Sequence, residues 1–198
     1  MNEAYMKKIF GLDGKTAVVT GSSSGIGQAI AESLANLGAH VAVLGRSQQG
    51  IEQTCARIRD NGGSCQGYAV DITKQEEQER FFQTFLAEHK HLDIFVANAG
   101  INVRGELPDV TEKEMGLLLG TDFIGTIYGL NQAAEVMKKQ REGNIVIITS
   151  VNALSPLANQ ALYSAIKCAM ESVMRSLAVT MAEYGVRVNS CAPGCIHS

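Results

Sequence analysis

The chain has little charge of one sign. Lys and Arg number 17 against 20 Asp and Glu, for a net charge of -3. That balance gives no general attraction to nucleic acid or to an anionic membrane surface, and no run of like charges forms a binding tail. Proline is scarce, with only Pro108, Pro156 and Pro193, and neither a low-complexity stretch nor an internal repeat occurs, which excludes a Pro-rich linker or a repeat array. Cys55, Cys65, Cys168, Cys191 and Cys195 include no C-x-x-C cluster, and His40, His89, His91 and His197 show no metal spacing. No metal site is expected, and the thiols read as reduced. No apolar run approaches the ~20 residues of a membrane-spanning helix. The segment Met1 to Phe10 carries Asn2, Glu3, Lys7 and Lys8 where a secretory signal has its apolar core. The expectation is a single domain over residues 1–198, located in the cytoplasm and acting on a small molecule.

What is present is alternation. Short β-branched runs at Thr16 to Thr20, Val41 to Leu44, Tyr68 to Val70, Ile94 to Ala97, Ile145 to Thr149 and Val186 to Cys191 read as buried strands. Between them lie helical spacings: Ile26, Ile30, Leu34 and Leu37 on one face, Ile51, Cys55 and Ile58 on another, Phe81, Phe85 and Leu86 on a third. Strand and helix in turn, with gaps long enough for right-handed crossovers, predict an α/β domain: one doubly wound, Rossmann-like parallel sheet of six strands with helices on both faces. Ligands of such sheets lie beyond the carboxyl ends of the strands, where the strand order reverses.

The first strand runs into Gly21-Ser22-Ser23-Ser24-Gly25-Ile26-Gly27 and then a helix. Gly21 can make the turn, Gly25 can admit a pyrophosphate close to the backbone, and Gly27 can let helix and strand pack tightly. The free N–H groups of the helix then face the phosphates. The second strand ends Leu44-Gly45-Arg46, where an acid would hold an adenosine ribose 2'-hydroxyl. Arg46 instead suits a 2'-phosphate, which favours NADP(H) while leaving NAD(H) open. Further on, Tyr163 and Lys167 stand four apart at the opening of a helix and share a face. Tyrosine ionises near pH ~10, and on the order of 4 kcal/mol is needed to make it work as a base near neutrality; a neighbouring lysine cation acts in that direction. The preceding strand delivers Ser150 at its carboxyl end, where its hydroxyl can bond a substrate oxygen.

With these residues the chain resembles the short-chain dehydrogenase/reductase family from Leu12 onward. Thr20 to Gly27 is similar to that family's T-G-x-x-x-G-x-G, Asn98-Ala99-Gly100 to its N-A-G, and Tyr163 with Lys167 to Y-x-x-x-K, with Ser150 upstream. The resemblance implies that Tyr163 is the acid/base, Ser150 the substrate orienter and Lys167 a second contact to the nicotinamide ribose. It further implies that Asp71 and Ile72 touch adenine, that Asn98 to Gly100 line the adenosine side, and that Ile196 and Ser198, after Pro193-Gly194, hold the carboxamide. A homotetramer or dimer is implied too, through the apolar faces around Leu117, Ile124 and Leu177.

Two departures accompany the resemblance. Asp122 stands where the family has asparagine in N-x-x-G; ionised, it would offset the field of Lys167 and move the pH optimum to the alkaline side, and protonated, it could still hold a relay water. The family also continues past Ser198 with a lid and a last strand, so the chain is expected to be a truncated form. Among branches, the pattern looks most like oxidoreductases of sugar acids. A 3-oxoacyl thioester reductase has the same motifs, and a catalytically impaired cofactor sensor or scaffold is the reading from another class.

Overall fold

The structure, a computed structural model, describes residues 9–196. Six strands, β1 (Thr16–Val19), β2 (His40–Gly45), β3 (Ser64–Ala69), β4 (Ile94–Ala97), β5 (Gly143–Ile148) and β6 (Val186–Cys191), form one sheet in the order β3-β2-β1-β4-β5-β6. Every pairing is parallel. The doubly wound expectation therefore holds, and the strand order reverses between β1 and β4. The apolar runs of β1 and β2 are buried on both faces, as a parallel sheet covered by helices requires: Ala17, Val18 and Val19, and Val41 to Val43, are inaccessible to solvent.

Helices α1 (Gly25–Asn36), α2 (Gln48–Asp60), α3 (Gln75–His89), α4 (Glu112–Leu118), α5 (Thr126–Gln140) and α6 (Ala161–Ala182) supply the crossovers. On α1 the buried positions are the small Gly27, Ala31 and Ala35, which bring the helix close to the sheet, while Ile30 and Leu34 flank that stripe. On α2 the expected Ile51, Cys55 and Ile58 are buried, and on α3 Phe81, Phe82 and Phe85 enter the larger core beside Phe95, Ile145 and Met137. The lysines at the end of α5 are local: Lys138 lies 4.9 Å over the Tyr184 ring, and Arg141 donates to the Glu183 carbonyl at 2.8 Å. Between α4 and α5 the chain does not stay α-helical. Leu119–Gly125 winds as a π-helical segment, which widens the turn at Asp122. No helix among the described residues is long and apolar enough to cross a membrane.

Candidate active site

The carboxyl ends of β1 and β4 open onto a cleft of about 550 Å³, a volume typical of small-molecule sites. Its floor is the loop after β1. Gly21 and Gly25 take positive φ values of 64° and 57°, which only glycine adopts without cost. Space is as strict as torsion. A Cβ on Gly27 would stand 2.4 Å from the Gly21 carbonyl oxygen and from Asn98 Nδ2, and one on Gly21 would stand 2.7 Å from Ala99 Cα. The loop is held from both sides: Asn98 Nδ2 donates to the Thr20 and Gly21 carbonyls at 2.9 and 3.2 Å, while the Asn98 and Ala99 N–H groups both donate to Thr20 Oγ1 at 3.0 Å. Buried Ser22 closes the turn by donating to the Val19 carbonyl at 2.7 Å and accepting from the Leu44 N–H at 3.0 Å. No side chain caps α1 and no acid lies in its first turn, a helix start whose chemistry suits an anion, and Ser24, Ile26 and Gly27 there line the cleft.

Along one wall, exposed Arg46 follows β2 and Asp71 follows β3. Burial pushes the Asp71 carboxyl up, but the Thr73 N–H and hydroxyl, at 3.0 and 2.8 Å, together with the charge of Arg46, bring it below the ordinary carboxylate value. Asp71 is thus an anion turned partly inward, beside a cation facing solvent.

The other end gathers the candidate proton-transfer side chains. β5 stops at Ile148, and Ser150 begins a short 3-10 turn in which its Oγ accepts the Asn152 N–H at 3.2 Å. Tyr163 lies in the first turn of α6 and Lys167 one turn on, with Nζ 5.5 Å from the Tyr163 ring centre. Lys167 is 6% exposed, a burial that a lysine sustains only with partners. Those partners are Asp122 Oδ2 at 3.0 Å and the Ile148 carbonyl at 3.4 Å. Asp122 Oδ1 in turn accepts the Ile101 N–H at 2.7 Å. Burial holds the Asp122 carboxyl above the usual range, against the pull of Lys167 and of the Ile101 N–H. Oδ1 accepts a hydrogen bond while Oδ2 meets the Lys167 ammonium as an ion pair without hydrogen-bond geometry, an arrangement that fits a carboxylate. Gly100 makes room for the pair, since a Cβ there would stand 2.7 Å from Asp122 Oδ2.

Gly21, Ser23, Ser24, Ile26, Gly27, Arg46, Asp71, Ile72, Asn98, Ala99, Gly100, Asp122, Ser150, Tyr163, Lys167, Pro193 and Gly194 all line this one cleft, as the sequence reading requires. Gly25 shapes the loop without lining the cleft, Ile196 is 56% exposed and also off its wall, and Ser198 lies outside the described residues. The cleft also takes in Thr121, Thr149 and Asn102, which sequence reasoning passed over. Their only signal is position, each near a residue already singled out.

A family model described as short chain dehydrogenase matches residues 15–198. The chain is 37% identical over 188 residues to dehydrogenase/reductase SDR family member 4 of Bos taurus, covering 94% of this chain and 67% of that protein. Among solved structures, NAD+-bound xylitol dehydrogenase superposes with a TM-score of 0.91 at 26% identity, covering 94% of this chain and 72% of the other. A 7α-hydroxysteroid dehydrogenase in complex with NADH and 7-oxo glycochenodeoxycholic acid superposes with a TM-score of 0.89 at 28% identity, covering 98% and 74%.

Proposed function

The chain belongs to the short-chain dehydrogenase/reductase family and is an NAD(P)-dependent oxidoreductase, and from that premise we propose that it interconverts a secondary alcohol and a ketone on a small polyhydroxylated acid. One observation carries the proposal: a glycine-lined anion site and the Ser150, Tyr163 and Lys167 side chains share a single cleft. Gly21 to Gly27 with the start of α1 would hold the pyrophosphate, Asp71 and Ile72 the adenine, Asn98 to Gly100 the adenosine side, and Pro193 and Gly194 the nicotinamide end. The bound dinucleotide supplies a hydride donor or acceptor. Ser150 bonds the substrate oxygen and fixes its direction, and Tyr163 gives that oxygen a proton in reduction or takes one in oxidation. Lys167 would set its positive charge beside the Tyr163 ring, where the proton moves, and would bond the nicotinamide ribose. Asp122 holds Lys167 in place.

Arg46 at the end of β2 favours NADP(H), because its guanidinium suits a 2'-phosphate, whereas the two solved relatives named above hold NAD+ and NADH. The sugar-acid reading draws on the resemblance at Asn98 to Ile101 and on likeness to a xylitol dehydrogenase. We further propose a cytoplasmic homo-oligomer that buries the exposed Leu117, Ile124 and Val179. The test is NADPH and NADH oxidation against 5-ketogluconate and an acetoacetyl thioester, each repeated with Tyr163→Phe. Turnover of the keto acid, abolished in the variant, supports the proposal. Turnover of the thioester alone moves the protein to fatty-acyl reduction, and cofactor binding without turnover makes it a sensor or scaffold.

A further inference from the structure

Beside Ser150 lies a run of carboxamides that the chemistry above leaves unused. Gln160, 7% exposed, sits at the end of the loop before α6, and its Oε1 accepts from Asn152 Nδ2 at 2.8 Å and from Asn102 Nδ2 at 3.4 Å. Asn152, 6% exposed, also donates its backbone N–H to Ser150 Oγ at 3.2 Å. Close by, the Gly105 N–H donates to the Asn159 carbonyl at 2.9 Å. The loop after β4, which carries Asn102, and the loop after β5, which carries Ser150, are thereby joined by one chain of bonds: Ser150 to Asn152, Asn152 to Gln160, Gln160 to Asn102.

This network has a chemical consequence. A carboxamide offers two donor hydrogens and one acceptor oxygen, and which end points where follows from its bonds. Asn102 is an exposed side chain that lines the cleft together with Ser150 and Tyr163, and with its Nδ2 turned toward Gln160 at 3.4 Å its oxygen is left as an acceptor with no partner among the described residues. Ser150 fixes the reacting oxygen and the network fixes Asn102 relative to Ser150. The site therefore holds an acceptor at a set offset from the carbonyl. A hydroxyl near the ketone can donate to it, whereas the methylene of a 3-oxoacyl chain cannot.

We propose that Asn102, positioned by Gln160, is a specificity-determining residue that accepts a hydrogen bond from a substrate hydroxyl beside the reacting carbon. The inference rests on the oxidoreductase reading above and selects α-hydroxy ketones within it. Gln160 itself acts as a positioning residue.

The test compares two ketones with one carbon skeleton: 5-ketogluconate, hydroxylated on both sides of its ketone, and 5-oxohexanoate, which has no hydroxyl. The readout is the ratio of their kcat/KM values, measured with cofactor affinity and thermal unfolding in the same preparations. Loss of one neutral hydrogen bond corresponds to about a tenfold fall in that ratio, expected for Asn102→Ala and for Gln160→Leu, mainly through KM for 5-ketogluconate. Gln160→Glu retains an acceptor oxygen for both asparagines and holds the ratio within about threefold of wild type. A ratio unmoved by Asn102→Ala overturns the inference, as does a ratio that falls as far in Gln160→Glu as in Gln160→Leu. Wild-type protein that reduces 5-oxohexanoate but not 5-ketogluconate removes the substrate reading and this inference with it, leaving the oxidoreductase intact. Inactivity on both ketones despite cofactor binding removes the substrate reading and this inference, and the acetoacetyl thioester then separates an acyl reductase from a sensor or scaffold.

Discussion

Replacing Asp122 by Asn removes one negative charge from the site while keeping the shape of the side chain. Asp122 Oδ2 is 3.0 Å from Lys167 Nζ, and that nitrogen is 5.5 Å from the centre of the Tyr163 ring. The carboxylate therefore lies within about 8.5 Å of the ring. Both members of the pair are buried, with side-chain exposures of 7% for Lys167 and 0% for Asp122, so an effective dielectric of about 20 is the appropriate one. Coulomb's law then gives roughly 2 kcal/mol of repulsion between Asp122 and an ionised phenol. Removing it favours the phenolate and shifts the rising limb of the pH–rate profile for alcohol oxidation by about 1.4 pH units toward acid. The sign depends on Asp122 being ionised, as its ion pair with Lys167 indicates. The assay is kcat/KM for the alcohol in Asp122→Asn and wild type between pH 5 and 10. Coincident profiles would refute the reasoning and mean that Asp122 holds a proton throughout. An alkaline displacement would mean that losing Asp122 disorders Lys167, so that its field no longer reaches the tyrosine.

Arg46→Asp should invert cofactor preference from NADPH toward NADH if the guanidinium reads the 2'-phosphate; unchanged selectivity in paired titrations removes that role. Gly27→Ala places a methyl 2.4 Å from the Gly21 carbonyl, and because the loop backbone must shift, dinucleotide affinity should fall at least tenfold by fluorescence titration, with about 1–3 kcal/mol lost from stability. The neighbouring rings of His40 and His89, with centres 4.4 Å apart and planes tilted by 35°, give a pH dependence of folding. Burial, and then the charge of His89, hold His40 below the ordinary value of 6.5, against a smaller opposing pull from Glu88. As pH falls through 6.5 the unfolded chain takes up this proton and the folded chain does not, so stability present above 6.5 is lost progressively below it. Urea unfolding at pH 7.5 and 5.5 should show that loss, and His40→Asn should lessen it.

The central strands and the residues that meet in the cleft were legible because their signals are local. β1, β2 and β4 are apolar but for Thr16 and His40 at their starts, and the glycine loop and the Tyr163–Lys167 spacing each occupy one short stretch of chain. β3 was legible only at its end, Tyr68 onward, because Ser64-Cys65-Gln66-Gly67 lies on an edge strand, half exposed, where nothing demands β-branched side chains. The partnership of Asp122 with Ile101 and the carboxamide chain from Ser150 to Asn102 depend on which loops the topology brings together, and neither periodicity nor spacing encodes that. The π-helical winding at Leu119–Gly125 was equally hidden, since its residues read as ordinary helix.

That winding makes the site sensitive to chain count. An α-helix advances about 100° per residue, and a π segment accommodates residues that an α-helix of the same rise would not. Deleting Leu119 would let the ladder close as α and swing α4 by roughly that angle about α5, carrying the Asp122 register away from Lys167. Substitutions at the exposed Leu117 or Ile124 should leave the Asp122–Lys167 pair in place even where they weaken subunit association, whereas removal of even one residue should not: this stretch is constrained by its length before it is constrained by its composition.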